Sequence, residues 1–207
     1  MYKIKRIWLE KDPKAYKDWS TLMQETGLDV DERLDYTVGI YREDRLVATG
    51  SYQQNILKCL TVAEDHQSEN LLTQLVIHLL ERLREDQQTH YFLYTRPKNQ
   101  LIFQSLGFHE IIKTDQILFM EQGLPTFEEY LEYLAKKKKT GSGSGIVMNA
   151  NPFTKGHQYL VETAAKTSEV VYVFVLSEDR SEFSTKDRLE MVKRGVAHLS
   201  NVVVLLT

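Results

Sequence analysis

Apolar positions change their spacing several times along the chain, and each change marks an element. Asp12-Pro13 is a side-chain cap followed by proline at the first helical position, with Tyr16, Trp19 and Met23 on one face and Gly27 beyond, so a helix is predicted there. Residues 36–41 and 46–52 flank Glu43-Asp44 as a hairpin, and 56–62 form a third β-rich run. Leu71, Leu72, Leu75, Val76, Leu79, Leu80 and Leu83 then recur at three- and four-residue steps between charges, which predicts a long helix with one buried face. Residues 90–95 read as a strand, 99–106 as a short helix ended by Gly107, and 108–112 with 116–120 as a closing hairpin. Thr126-Phe127-Glu128-Glu129 is a capping-box pattern, and it opens a helix whose inner face would be Tyr130, Leu131 and Leu134.

Lys136-Lys137-Lys138-Lys139 end that helix and lead into Gly141-Ser142-Gly143-Ser144-Gly145, which predicts a flexible connection because nothing in it demands burial. The lysines read as a solvated helix end facing the negative C-terminal dipole rather than as an anion site. The expected division is therefore a first domain at 1–124, a connecting helix and linker at 125–144, and a second domain at 145–207. In the latter, strand 146–148, helix 156–166, strand 170–176, helix 185–199 and strand 202–206 make a βαβαβ series. The middle strand is apolar at every position, as for a parallel strand covered on both faces. The helices carry Leu160, Val161, Ala164 and Ala165, then Leu189, Val192, Val196 and Leu199, so both can pack on the sheet.

The 207 residues and 42% hydrophobic content suffice for two small cores. A net charge of -3 gives no long-range pull toward nucleic acid or anionic membrane, and neither is an expected partner. Cys59 is the only cysteine, which excludes an internal disulfide; its neighbours Ile56, Leu57 and Leu60 predict a buried, inert thiol in a reducing compartment. Residues 1–10 lack the apolar stretch of a signal peptide, and the run at 170–176 is far short of the roughly 20 residues that span a bilayer, so a soluble, cytoplasmic protein is expected. His66, His78, His90, His109 and His198 lack metal-ligand spacing, and no protein-held metal is expected.

The chemistry concentrates between the first strand of the second domain and its helix, where a doubly wound sheet places its ligand. The G-x-x-x-x-G-K-[ST] pattern is absent, and Gly143-Ser144-Gly145 precedes the strand, so a Walker loop and a dinucleotide fingerprint are both excluded. Thr154 and His157, three apart at a helix start, put a hydroxyl and an imidazole on one face of the first turn, while Gly156 between them lets a phosphate approach the backbone. Free N–H groups and the positive end of the helix dipole favour an anion there. Read by itself, the T-x-G-H spacing fits equally a Thr154 N-cap beside an exposed His157.

The surrounding residues carry a resemblance. Asn151-Pro152-Phe153-Thr154-Lys155-Gly156-His157 is similar to the first motif of the T/H-x-G-H nucleotidylyltransferases, in the variant with Thr for the first His that phosphopantetheine adenylyltransferases also have. Ser177-Glu178-Asp179-Arg180-Ser181-Glu182-Phe183, followed by Arg188-Leu189-Glu190, resembles that superfamily's second-strand loop and helix. More narrowly, Ile146-Val147-Met148-Asn149-Ala150-Asn151-Pro152-Phe153-Thr154 is similar to the citrate lyase ligase family. The resemblance implies that Thr154 and His157 are catalytic and that Asn149, Asn151, Phe153, Lys155, Gly156, Arg180 and Arg188 contact ATP. Lys155 reads equally as an exposed helix residue, and Arg188 either binds nucleotide or pairs with Asp187 and Glu190. ATP is expected to bring magnesium with it as a substrate complex. Acetate would attack ATP to give acetyl-adenylate and pyrophosphate. The thiol of the coenzyme A-like group on the citrate lyase acyl carrier protein would then take the acetyl group, releasing AMP.

Citrate lyase ligases also carry an acetyltransferase-like (GNAT) domain first, and residues 99–108, ending Leu106-Gly107-Phe108, resemble the fourth GNAT motif. The pyrophosphate arm departs from its Q/R-x-x-G-x-G/A pattern: Gln67-Ser68-Glu69-Asn70-Leu71-Leu72 has Asn and Leu where glycines belong. Leucine bars a pyrophosphate from bare backbone and Glu69 repels it, so acetyl-CoA binding is not expected. The fold expected is thus α+β and α/β: a GNAT-like mixed sheet, then the first βαβαβ half of a Rossmann-like nucleotidylyltransferase domain. Such a sheet needs further strands and a later Ser/Thr-rich phosphate motif, so a chain ending at Thr207 reads as truncated or shortened. Two alternatives stand beside the ligase: a plain adenylyltransferase of the phosphopantetheine type, and a non-catalytic module that docks a partner.

Overall fold

Asp12 does at the first helix what its position predicts: its carboxylate accepts the Lys14 and Ala15 N–H groups, both at 3.0 Å, with Pro13 following in the first turn. The computed structural model describes residues 1–31, 33–67, 70–177 and 182–207. It divides into two units, Met1–Tyr130 and Leu131–Thr207.

In the first unit, β1 (Tyr2–Ile7), α1 (Pro13–Glu25), β2 (Tyr36–Arg42), β3 (Arg45–Gln53) and β4 (Ile56–Val62) are followed by α2 (Leu71–Glu85), β5 (His90–Thr95), α3 (Gln100–Ser105), β6 (His109–Lys113) and β7 (Leu118–Gly123). The strands form one sheet in the order β1-β2-β3-β4-β5-β7-β6. Its pairings are antiparallel except β4 with β5. Trp19, Leu22 and Met23 of α1 are buried with Ile7, Leu46 and Ala63. Tyr16, expected on that face, leans on Trp19 and stays 43% exposed. Leu71, Leu75, Val76, Leu79, Leu80 and Leu83 of α2 are all buried, each such side chain stabilising the fold by about 1.5–3 kcal/mol.

The parallel pair β4–β5 is short, with only Ile56 against Phe92 and Leu57 against Leu93. On its other side β4 carries a bulge, because Ser51 pairs with Lys58 and Thr49 with Thr61, and Cys59 in that bulge takes φ +52°. Cys59 is half-buried rather than buried, and desolvation pushes its thiol up to about 11. The α2 helix starts from Asn70 at φ +56° with no side-chain cap, after a single 3-10 turn at Glu64–His66.

The helix α4 (Phe127–Lys137) has its capping box: Glu129 Oε2 accepts the Thr126 N–H at 2.8 Å, and Thr126 Oγ1 accepts the Glu129 N–H at 3.1 Å. Its expected inner face is not buried, however. Leu131 is 48% exposed and Tyr130 and Leu134 are half-buried.

In the second unit, β8 (Gly143–Met148), α5 (Lys155–Thr167), β9 (Val170–Val175), α6 (Thr185–Gly195) and β10 (Val202–Leu206) build a parallel sheet in the order β10-β9-β8. The strand β8 begins three residues earlier than the apolar pattern indicated. Gly143, Ser144 and Gly145 pair with Val170, Val171 and Tyr172, so three of the five residues of the Gly/Ser stretch are sheet rather than flexible linker. Backbone pairing needs no side chain to bury, which is why composition concealed it. Gly141 sits in the turn before the strand at φ +110°, where a β-carbon would come within 2.7 Å of Glu169.

Val171, Val173 and Val175 are buried with Val161, Val192 and Val196, which places both helices' apolar stripes on one face of the sheet. The opposite face differs from the two-sided cover expected: Tyr172 and Phe174 are half-buried and Val147 is 64% exposed. The helix α6 ends at Gly195 and not at 199, with Val196 as its cap residue and Leu199 turning back through its N–H to the Val196 carbonyl.

Candidate functional site

The segment from Asn149 to His157 joins the end of β8 to the start of α5, the place where a parallel αβ sheet opens a crevice. Thr154, in extended conformation, is the N-cap of α5, and His157 stands at the third helical position. The two form a reciprocal capping box. The His157 N–H points at Thr154 Oγ1 at 3.5 Å, the Thr154 N–H donates to His157 Nδ1 at 3.0 Å, and Thr154 Oγ1 lies 2.9 Å from the same nitrogen. An Nδ1 that accepts a backbone N–H has no proton of its own, so the neutral ring carries its proton on Nε2, as a donor. The N-cap reading and the chemical reading of Thr154 are therefore one arrangement: the cap sets the tautomer.

Phe153 stacks on the imidazole at 5.6 Å between centroids and 22° between planes. Gly156 is exposed, and a β-carbon on it would meet nothing nearer than Thr154 Oγ1 at 3.7 Å. Protein packing therefore does not demand a glycine, and the open space lies over the helix N-terminus, where unpaired N–H groups gather. Lys155 is exposed in the first turn of α5.

Asn149, Asn151 and Arg188 are engaged with the protein itself. Asn151 Oδ1 accepts the Phe183 N–H at 3.0 Å, and Asn149 Oδ1 accepts from Arg188 Nη1 at 2.8 Å. Arg188 is fully buried, at 0% exposure. Its Nη1 also reaches the Asn149 and Leu176 carbonyls, each at 2.8 Å, while Nε donates to the Phe183 carbonyl at 3.2 Å and Nη2 to Thr185 Oγ1 at 3.0 Å. Where nucleotide contact was expected of Arg188, this burial turns every guanidinium nitrogen toward protein acceptors. Asp187 and Glu190, its alternative partners, instead bond Ser184 and Arg194. Arg180 lies outside the described residues.

The periodicity of α6 held the signal for this burial: Arg188, Val192 and Val196 follow at four-residue steps, so the arginine belongs to the buried stripe. Among the described residues, no three His, Cys, Asp or Glu side chains cluster as a metal site, and no helix is long and apolar enough to cross a membrane.

Residues 143–207 match the family described as the citrate lyase ligase C-terminal domain. The [citrate [pro-3S]-lyase] ligase of Escherichia coli K12 is 32% identical over 193 residues, covering 92% of this chain and 55% of that protein. A phosphopantetheine adenylyltransferase of Symbiobacterium thermophilum is 41% identical over only 56 residues, 26% of this chain and 35% of its own. Among solved structures, a GNAT-family acetyltransferase of Staphylococcus aureus Mu50 superposes with a TM-score of 0.50 at 12% identity, covering 60% of this chain and all of that one, which places a GNAT-like fold in the chain. The chain spans about half the length of the curated ligase it matches, and its first unit has the acetyltransferase-like architecture expected ahead of the matched domain. Through both units, the chain is similar to the citrate lyase ligase family.

Proposed function

We propose that this protein is an ATP-dependent ligase that activates acetate and passes the acetyl group to a thiol on the citrate lyase acyl carrier protein. The observation that carries the reading is the Thr154–His157 capping box, which presents an Nε2–H donor at a helix N-terminus inside the matched domain. In the first step a carboxylate oxygen of acetate forms a bond to the α-phosphorus of ATP, and the bond to the bridging oxygen breaks to release pyrophosphate. Negative charge shifts among the phosphate oxygens as this happens. A donor fixed in place before reaction stabilises that charge at little reorganisation cost. Magnesium enters with the triphosphate and supplies further charge neutralisation. In the second step the thiolate sulfur attacks the acetyl carbonyl, the C–S bond forms, the C–O bond to AMP breaks, and the thiol proton goes to solvent.

Thr154 and His157 are assigned the catalytic role, Gly156 and Lys155 the flank of the triphosphate, and Phe153 the support of the imidazole. The division of labour follows the sequence boundaries, with 145–207 handling ATP and 1–124 serving as a GNAT-like partner domain without acetyl-CoA. The short match to the adenylyltransferase, against a ligase match through 92% of the chain, favours acetate over a phosphopantetheine acceptor. The test is exchange of labelled pyrophosphate into ATP, on protein expressed from its full reading frame. Exchange that depends on acetate is expected. Exchange that depends instead on phosphopantetheine, or none with either, overturns the reading.

A further inference from the structure

We propose that Arg188 is the positioning residue of the phosphate loop: without touching ATP, it holds the Asn149–His157 segment in the shape that presents His157. Its guanidinium gathers three stretches of chain that border the loop. These are Asn149, where β8 ends; Leu176, just past β9; and Phe183 with Thr185, where α6 begins. Asn151 adds a second tie from the loop to the Phe183 N–H. A charge at 0% exposure is tolerated when its donors are met, and here carbonyl and side-chain oxygens from all three stretches meet them. Only a planar fork can do this, since the three protons of an ammonium diverge from one nitrogen and cannot span the same acceptors.

The loop needs such a tie because it bends sharply. Ala150 takes φ +52° while buried at 1% exposure, a conformation an alanine adopts only when its surroundings impose it. Loss of the Arg188 clamp on the Asn149 carbonyl frees the residue directly before this bend. The displacement then reaches Thr154 and the cap that fixes the His157 ring.

This role rests on the reading of the loop as an anion site, but one arm of the test does not. Arg188→Lys and the milder Thr185→Val, which removes only the Nη2 partner, are each compared with the unaltered protein. The first measurement is the ring-nitrogen NMR signature of His157, which reports the Nε2–H tautomer with no ligand present. The second is calorimetric binding of inorganic triphosphate, with His157→Ala as the control. In Arg188→Lys the tautomer signal is expected to average between forms, and affinity to fall roughly 10- to 100-fold, as for other residues that hold a binding group in place. Thr185→Val should shift both in the same direction by less, and it decides the matter if Arg188→Lys fails to fold. A His157 signature that stays unchanged in both variants overturns the proposal, whatever happens to affinity, since a loss of affinity alone would mean direct contact with the anion. If the unaltered protein binds no triphosphate, the anion-site reading fails while the tautomer comparison still decides the role of Arg188.

Discussion

A β-carbon at position 195 would lie 2.3 Å from Cε1 of Phe153, the ring that backs His157. Gly195 is the last residue of α6, so the end of one helix leaves the space in which the support of another helix's first turn is seated. Gly195→Ala must therefore push Phe153 aside. Overpacking of this kind costs about 1–3 kcal/mol, which is expected as a lower urea midpoint. An unchanged midpoint would show that the ring yields freely.

Removing the imidazole separates chemistry from binding. His157→Ala is expected to slow acetate-dependent pyrophosphate exchange by about 100- to 1000-fold, the usual effect of losing one preorganised donor, with a much smaller change in ATP affinity. Thr154→Ala should lose less in rate, and in addition roughly 1 kcal/mol of stability through the missing cap. Exchange that persists undiminished in His157→Ala would remove that residue from the site.

The first unit has a GNAT-like architecture but lacks the glycines of the pyrophosphate arm. The α2 helix begins at Asn70 and Leu71 behind the acidic turn Glu64-Asp65, with no glycine there to admit a phosphate. Calorimetry with acetyl-CoA is expected to give no binding in the micromolar range. A dissociation constant near 1 μM, about -8 kcal/mol, would contradict this.

Acid should loosen the start of β8. The Glu169 carboxylate accepts the Ser142 N–H, which holds its pKa below the ordinary glutamate range. A carboxylate depressed by folding contributes stability that is fully present above its unfolded value and is lost as pH falls through the lower folded one. Amide exchange at Gly143–Gly145, taken relative to the intrinsic rate at each pH, is thus expected to be unaffected between neutral pH and the ordinary glutamate range and to quicken below it. Glu169→Gln should remove this acid-dependent step. The same acid-induced quickening in that variant would exclude Glu169 as its cause.

The sequence was most legible where side chains announce their neighbours. The leucines of α2, the Asp12-Pro13 start of α1, the capping box at Thr126 and the N-cap at Thr154 stand where spacing put them. Thr154 and His157 were legible as a pair, although their direct contact and the resulting tautomer were not. The burial of Arg188 was not legible because a charged residue is assumed to face water or a ligand, whereas its acceptors are mostly main-chain carbonyls that no residue name reveals. Gly195 was passed over for a related reason: its partner Phe153 is 42 positions away in the sequence, and only the fold brings ring and helix together.

The paired glycines of β8 have a further consequence, for alignment. Gly143 and Gly145 offer no side chain to distinguish one placement along β9 from another, so a slide of two residues would leave that half of the strand facing as before. What forbids the slide lies at its two ends. At one, Ile146 and Met148 pack in the helix-covered core; at the other, the Ser144 and Ser168 hydroxyls meet at 2.6 Å and Ser142 is tied to Glu169. Between these pegs the stretch acts as a ruler: its residue count, far more than its composition, sets where β8 stops, and thus where Asn149 starts the turn toward His157.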